Sequence, residues 1–230
     1  MFMPLKDDTP LHVIRFQYVT LFIIVLNVVI FLLTGPLAGE QALAIFEASF
    51  GVVPTELLDL TRIPNSAFNP VSEPITLLTY MFLHGGWLHL IGNMAFLWVF
   101  ADNVEDAFGP LLFGIFYLVC GVAAALVHVL LNQNSHAPLV GASGAVSGIM
   151  AAYLLLFPKA RVWILLFMRV PVPVPAWVAL GGWIAFQAVS LFMPQQDGDA
   201  VAFWAHIGGF AAGLLITAFL RMRPFVQDRL

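Results

Sequence analysis

Six stretches of the chain, at about 16–34, 77–101, 110–131, 142–157, 176–193 and 201–220, contain no Asp, Glu, Lys or Arg. Runs of this kind, near the ~20 residues that cross a bilayer, predict six membrane-spanning helices. The shorter ones need tilt or burial among their neighbours to span. The long segment at about 35–76 reads differently. Leu43, Phe46 and Phe50 recur at helical spacing between Glu40, Glu47 and Glu56, which predicts short helices lying in the interface plane. The first apolar run is too long for a signal peptide, Asp7 and Asp8 dilute its basic flank, and five more runs follow. It is therefore read as a retained helix.

Composition agrees: 61% of the 230 residues are hydrophobic, 10% are charged and the mean hydropathy is +0.94. The expected fold class is an all-α integral membrane bundle, one domain over 1–230. A net charge of −4 without a basic cluster excludes nucleic acid as a partner. With the N-terminus inside, Lys6, Arg15, Lys159, Arg161, Arg169, Arg221, Arg223 and Arg229 are all cytoplasmic, and only Arg62 is outside. This bias places both termini in the cytoplasm. Cys120, the one cysteine, lies in an apolar run and has no intrachain partner.

Polar residues within the apolar runs carry the chemistry. Ser143 sits in Gly141-Ala142-Ser143-Gly144 at the start of the fourth run, and His206 sits near the start of the sixth. His84, His89 and Asn93 belong to the second, where His89 and Asn93 are spaced to share one helix face. The second, fourth and sixth helices run from outside to inside, so the three sets reach overlapping depths within ~10 Å of the outer interface. Taken alone, a membrane serine usually bonds its own backbone. An intramembrane histidine is costlier and reads as functional. His84 falls at a membrane boundary, where a structural hydrogen bond is expected, and His12, His128 and His136 receive no role. Gly144 and Gly148 lie four apart in the fourth run, as do Gly209 and Gly213 in the sixth. If these small faces meet, Ser143 and His206 come within reach of one another.

The Gly141-Ala142-Ser143-Gly144 motif, His89 with Asn93, and Ala205-His206 followed by Gly209 and Gly213 together resemble the signatures of rhomboid intramembrane serine proteases. The resemblance spans the second to sixth runs. It implies a six-transmembrane-helix rhomboid bundle in which Ser143 is the nucleophile and His206 its general base. His89, Asn93 and the Ser143 backbone N–H would stabilise the oxyanion, Gly141 would shape the turn before the serine, and His84 would be structural. Some rhomboids carry an aromatic residue four positions after the serine, packed on the catalytic histidine; Ser147 stands there in this chain. Trp204 and Phe210, which flank His206, are candidates to replace it. The segment from Pro194 to Ala200 would cap the site as a lid.

A neutral imidazole can take a serine proton near pH 7, so a Ser–His dyad suffices. Asp197 and Asp199, in the loop before the sixth run, are solvated rather than triad members. No cofactor is expected, and no metal, since no carboxylate or cysteine joins His84, His89 and His206. The expected partners are the lipid bilayer and single-span membrane proteins, cut near the outer face where Gly or Pro weakens their helix. A short chain of this kind suits a bacterial inner membrane. The alternative is a non-catalytic relative that binds transmembrane clients. A transporter would need paired broken helices or an internal repeat near the midplane, and the sequence shows neither. A soluble α/β hydrolase is excluded because Ala145 replaces the last glycine of its elbow and no sheet is legible.

Overall fold

The computed structural model describes residues 2–35, 37–58, 70–167, 169–192 and 202–227. Among them six helices have 14 residues or more: α1 (Tyr18–Thr34), α5 (Trp87–Phe108), α6 (Pro110–Leu131), α7 (Ser143–Leu156), α8 (Ala176–Ser190) and α9 (Phe203–Arg221). Each overlaps one of the six apolar runs. Two of them, α6 and α9, are long and apolar enough by themselves to cross a membrane. The remaining helices are short: α2 (Glu40–Phe50), α3 (Pro54–Leu58), α4 (Glu73–Thr79) and the terminal α10 (Pro224–Gln227).

The second run departs from expectation. Its first residues belong to α4 and to a 3-10 turn at Tyr80–Phe82, and α5 starts only at Trp87. The chain is extended at Leu83, and Gly86 occupies the N-cap of α5 with no side-chain cap. Adjacent glycines at 85 and 86 are poor helix formers, which explains the break. At its other end α5 continues to Phe108 and takes in Asp102, Glu105 and Asp106.

The all-α expectation also needs correction. A three-stranded antiparallel sheet, in the order β1 (Phe2–Asp7), β2 (Arg161–Leu166) and β3 (Val170–Pro175), closes the end of the bundle where α7 finishes and α8 begins. Pro171, Pro173 and Pro175 alternate along β3, a pattern that only an edge strand accommodates because proline donates no ladder bond. The two remaining strands come from opposite parts of the chain, with Phe2 opposite Leu166 and Asp7 opposite Val162.

Two buried acids at the end of α5 fix the N-terminal segment. Glu105 accepts from Val19 N–H (3.1 Å), Thr20 N–H (2.8 Å) and the Thr20 hydroxyl (2.7 Å), satisfying first-turn donors of α1. Asp106 accepts from the backbone N–H groups of His12, Val13 and Ile14 at 2.6–2.8 Å. The centre of the molecule is α7, buried at every position from Gly144 to Tyr153 and packed on α5, α6, α8 and α9. The faces of α1 are inverted relative to a helix in water. Thr20, Asn27 and Thr34 point inward with Ile23 and Phe31, while Phe22, Val25, Val29 and Leu33 are exposed.

Candidate active site

The serine loop is held from two sides before α7 begins. Val52 and Leu139 form an antiparallel bridge, with N···O distances of 3.0 and 2.8 Å, tying the chain between α2 and α3 to the approach of the serine. Gly141 N–H then donates to the Tyr80 carbonyl at 2.9 Å, and the Tyr80 hydroxyl donates to the Gly121 carbonyl at 2.7 Å. Gly141 has φ +118°, a conformation costly for any residue with a Cβ. A Cβ there would also lie 2.6 Å from Cε1 and Nε2 of His89. The His89 imidazole is thus seated against the turn two residues before Ser143.

Ser143 is the first residue of α7 and is half-buried. Ala142, at the N-cap, supplies no capping side chain. The first N–H groups of a helix have no intrahelical acceptor and carry the positive end of its dipole, so the Ser143 N–H is free to meet an anion. Ser147, one turn on, donates its hydroxyl to the Ser143 carbonyl at 2.6 Å.

His206 is the fourth residue of α9 and is buried. The two glycine faces meet: a Cβ at Gly209 would fall on the Gly144 carbonyl, and one at Gly213 on the Gly148 carbonyl. A Cβ at Gly144 would lie 3.7 Å from the Ala205 carbonyl. The backbones bearing Ser143 and His206 are therefore in contact through their next neighbours. Among the described residues no hydrogen bond joins the two side chains directly; such bonds commonly tighten only when substrate arrives.

The other expected residues are placed with some differences. The Asn93 amide donates to the His89 carbonyl at 3.0 Å, back into its own helix. His84 is fully buried, edge-on to His89 with ring centroids 5.1 Å apart. Among the described residues neither of its ring nitrogens has a partner in full hydrogen-bond geometry, and packing against the His89 ring is its clearest contact. The lid segment from Pro194 to Ala200, with Asp197 and Asp199, lies outside the described residues, as does Arg62.

What the sequence did not reveal is the support of His206, which comes from α8. Gln187 Oε1 lies 3.1 Å from His206 Nδ1, and the Trp183 ring packs on the imidazole with centroids 5.5 Å apart and planes at 42°. Trp183 in turn touches Phe96 of α5 at 6.5 Å. Among the described residues the aromatic ring against His206 is Trp183, not Trp204 or Phe210. The signal for the true partners was available: Trp183 and Gln187 are four apart, hence on one face of α8, and Gln187 is a rare amide in an apolar helix.

Comparison with known proteins gives a family. The Rhomboid domain matches residues 71–223, which include α4 through α9. Over 151 residues, 64% of the chain, the sequence is 31% identical to RHOMBOID-like protein 5 of Arabidopsis thaliana, and the match covers 44% of that protein. It is 30% identical to the mitochondrial Rhomboid protein 1 of Saccharomyces cerevisiae over 63% of the chain and 41% of the relative. Rhomboid-like protease 5 of Toxoplasma gondii is 32% identical over 59% of the chain and 15% of the relative. The chain spans less than half the length of each of these relatives. All three come from eukaryotes, so the bacterial inner membrane expected from the sequence finds no support in them.

Proposed function

The chain belongs to the rhomboid family, and on that premise we propose that it is an intramembrane serine endopeptidase using Ser143 and His206 as a dyad. The observation that supports this reading is the apposition of the Gly144 and Gly209 backbones, which brings together the two helices that carry a helix-terminal serine and a buried histidine. His206 takes the hydroxyl proton as Ser143 attacks the peptide carbonyl and returns it to the leaving amine. The oxyanion forms at the N-terminus of α7, where the Ser143 N–H is free and the His89 ring is adjacent. Asn93 reaches the oxyanion by exchanging its bond to the His89 carbonyl for one to substrate.

The long helices α1 and α5 to α9 serve as six spans, with both termini on the cytoplasmic side and the whole chain forming one membrane domain. Two features support this. Apolar residues cover the outside of α1 while polar ones face its interior. Pairing of β1 with β2 keeps the N-terminus on the same side as the α7–α8 connection, as four intervening crossings require. Ser143 begins α7 and the sheet follows its end, so the serine lies ~20 Å from that side, toward the opposite face.

Substrates are single-span proteins whose helix unwinds near that face. A helical carbonyl is already bonded within its helix and shielded, so Gly or Pro near the cut site raises the rate. The test is reconstitution in liposomes with a single-span reporter carrying a Gly-Pro or a Leu-Leu pair beside a small residue. We expect cleavage of the Gly-Pro reporter by the wild type and none by Ser143→Ala or His206→Ala. Equal cleavage by Ser143→Ala would end the protease reading for this serine. A folded wild type that retains the reporter without cutting it would favour client binding.

A further inference from the structure

Gln187 and His206, 19 positions apart in the chain, come from two successive long helices, and each is buried, at 6% and 8% exposure. The buried positions of α8 are otherwise Ala176, Ala179, Leu180 and Ser190, and the Ser190 hydroxyl is occupied by the Phe186 carbonyl at 2.8 Å. An amide in such surroundings is costly unless a partner compensates it. The partner of its oxygen is the imidazole at 3.1 Å. One turn earlier on the same helix face, Trp183 covers the ring of the same histidine. One contact addresses Nδ1 of the imidazole and the other packs a tilted ring against it.

We propose that Gln187 is a positioning residue for the reaction. As acceptor for Nδ1–H it fixes the tautomer and the ring orientation that leave the Nε2 lone pair for the Ser143 proton, the place a carboxylate holds in a triad. This deepens the dyad reading and rests on it. An amide has both a donor and an acceptor face, and the reverse orientation would put the ring proton on Nε2, where it blocks the base. The tautomer is therefore set by which face of the amide meets the ring. Trp183 limits the ring's freedom to swing but cannot choose between its nitrogens.

The test compares wild type, Gln187→Met and Gln187→Glu with a soluble fluorogenic peptide and a fluorophosphonate in the same liposomes, with melting temperatures alongside. Gln187→Met keeps the volume and removes the acceptor; Gln187→Glu keeps an acceptor and removes the donor. We expect Gln187→Met to lower kcat about 10- to 100-fold with KM within about twofold, by analogy with other groups that orient a working histidine. Gln187→Glu should restore kcat to within a few fold of wild type although it buries a charge. A packing role predicts the reverse order, with Gln187→Glu the worse enzyme and the lower melting temperature. That order, or an unchanged kcat in Gln187→Met, overturns the proposal. Ser143-dependent labelling of the wild type separates the two readings: if it is present, failure concerns Gln187 alone, and if it is absent from folded protein, the dyad falls and this proposal with it.

Discussion

At the scale of single residues, the proposed site depends on glycines as much as on Ser143 and His206. Gly141 combines φ +118° with the His89 ring in the space of its missing Cβ. Gly141→Ala must distort the serine turn or expel His89, and should lower the melting free energy by about 1–3 kcal/mol while abolishing turnover. Gly181→Ala is the matched control, since nothing lies within 4 Å of a Cβ there. Stability by thermal melting and activity on one reporter check both; a Gly141→Ala enzyme of normal activity would show that His89 has no fixed place in the reaction. Ser143, His206, Gly141 and the paired glycines were legible because each interrupts an apolar run with a residue that the bilayer disfavours or that lets backbones touch. Gln187 was not read, because its meaning depends on α8 lying beside α9. No spacing within one helix reports that. Ser147 pointed to a missing aromatic support but not to the Trp183 that supplies it.

At the scale of elements, helices were legible and strands were not. A helix announces itself by a long uncharged run. The six-residue β2 is short enough to be lost beside one, its partner β1 lies at the other end of the chain, and the Val-Pro alternation of β3 looks like a break. The start of α5 was misplaced for a related reason: apolar character continues through Tyr80–Phe82 while the backbone does not. The sheet end also carries a titration. Asp7 accepts from the Tyr153 hydroxyl, and burial raises its carboxyl above the ordinary 3.8, against the opposing effect of hydrogen bonds from Tyr153 and Thr9. The folded protein thus holds this proton at a pH where the unfolded chain has released it. Stability is therefore lost as pH rises from the ordinary carboxylate range through the raised folded-state value. Asp7→Asn should escape that loss, so its melting temperature relative to wild type should be higher at pH 7.5 than at pH 4.5. A difference that does not change with pH would mean that Asp7 ionises as freely in the folded state as in the unfolded one.

At the scale of the whole molecule, the two ends of the bundle have separate tasks. One is closed by the sheet and by Glu105 and Asp106, which bind the N-terminal segment to α5. The other holds the N-terminus of α7, the His89 ring and the bridge between Val52 and Leu139. Between them the Gly144–Gly209 and Gly148–Gly213 contacts clamp α7 to α9. Under the proposed reading the first end is a rigid support and the second admits substrate. The central claim is that Ser143 is an activated nucleophile, and it is most directly measured by fluorophosphonate labelling of the protein in liposomes beside Ser143→Ala and His206→Ala. The account predicts labelling of the wild type and of neither variant. Labelling that persists in Ser143→Ala, or a folded wild type that takes no label, would contradict it.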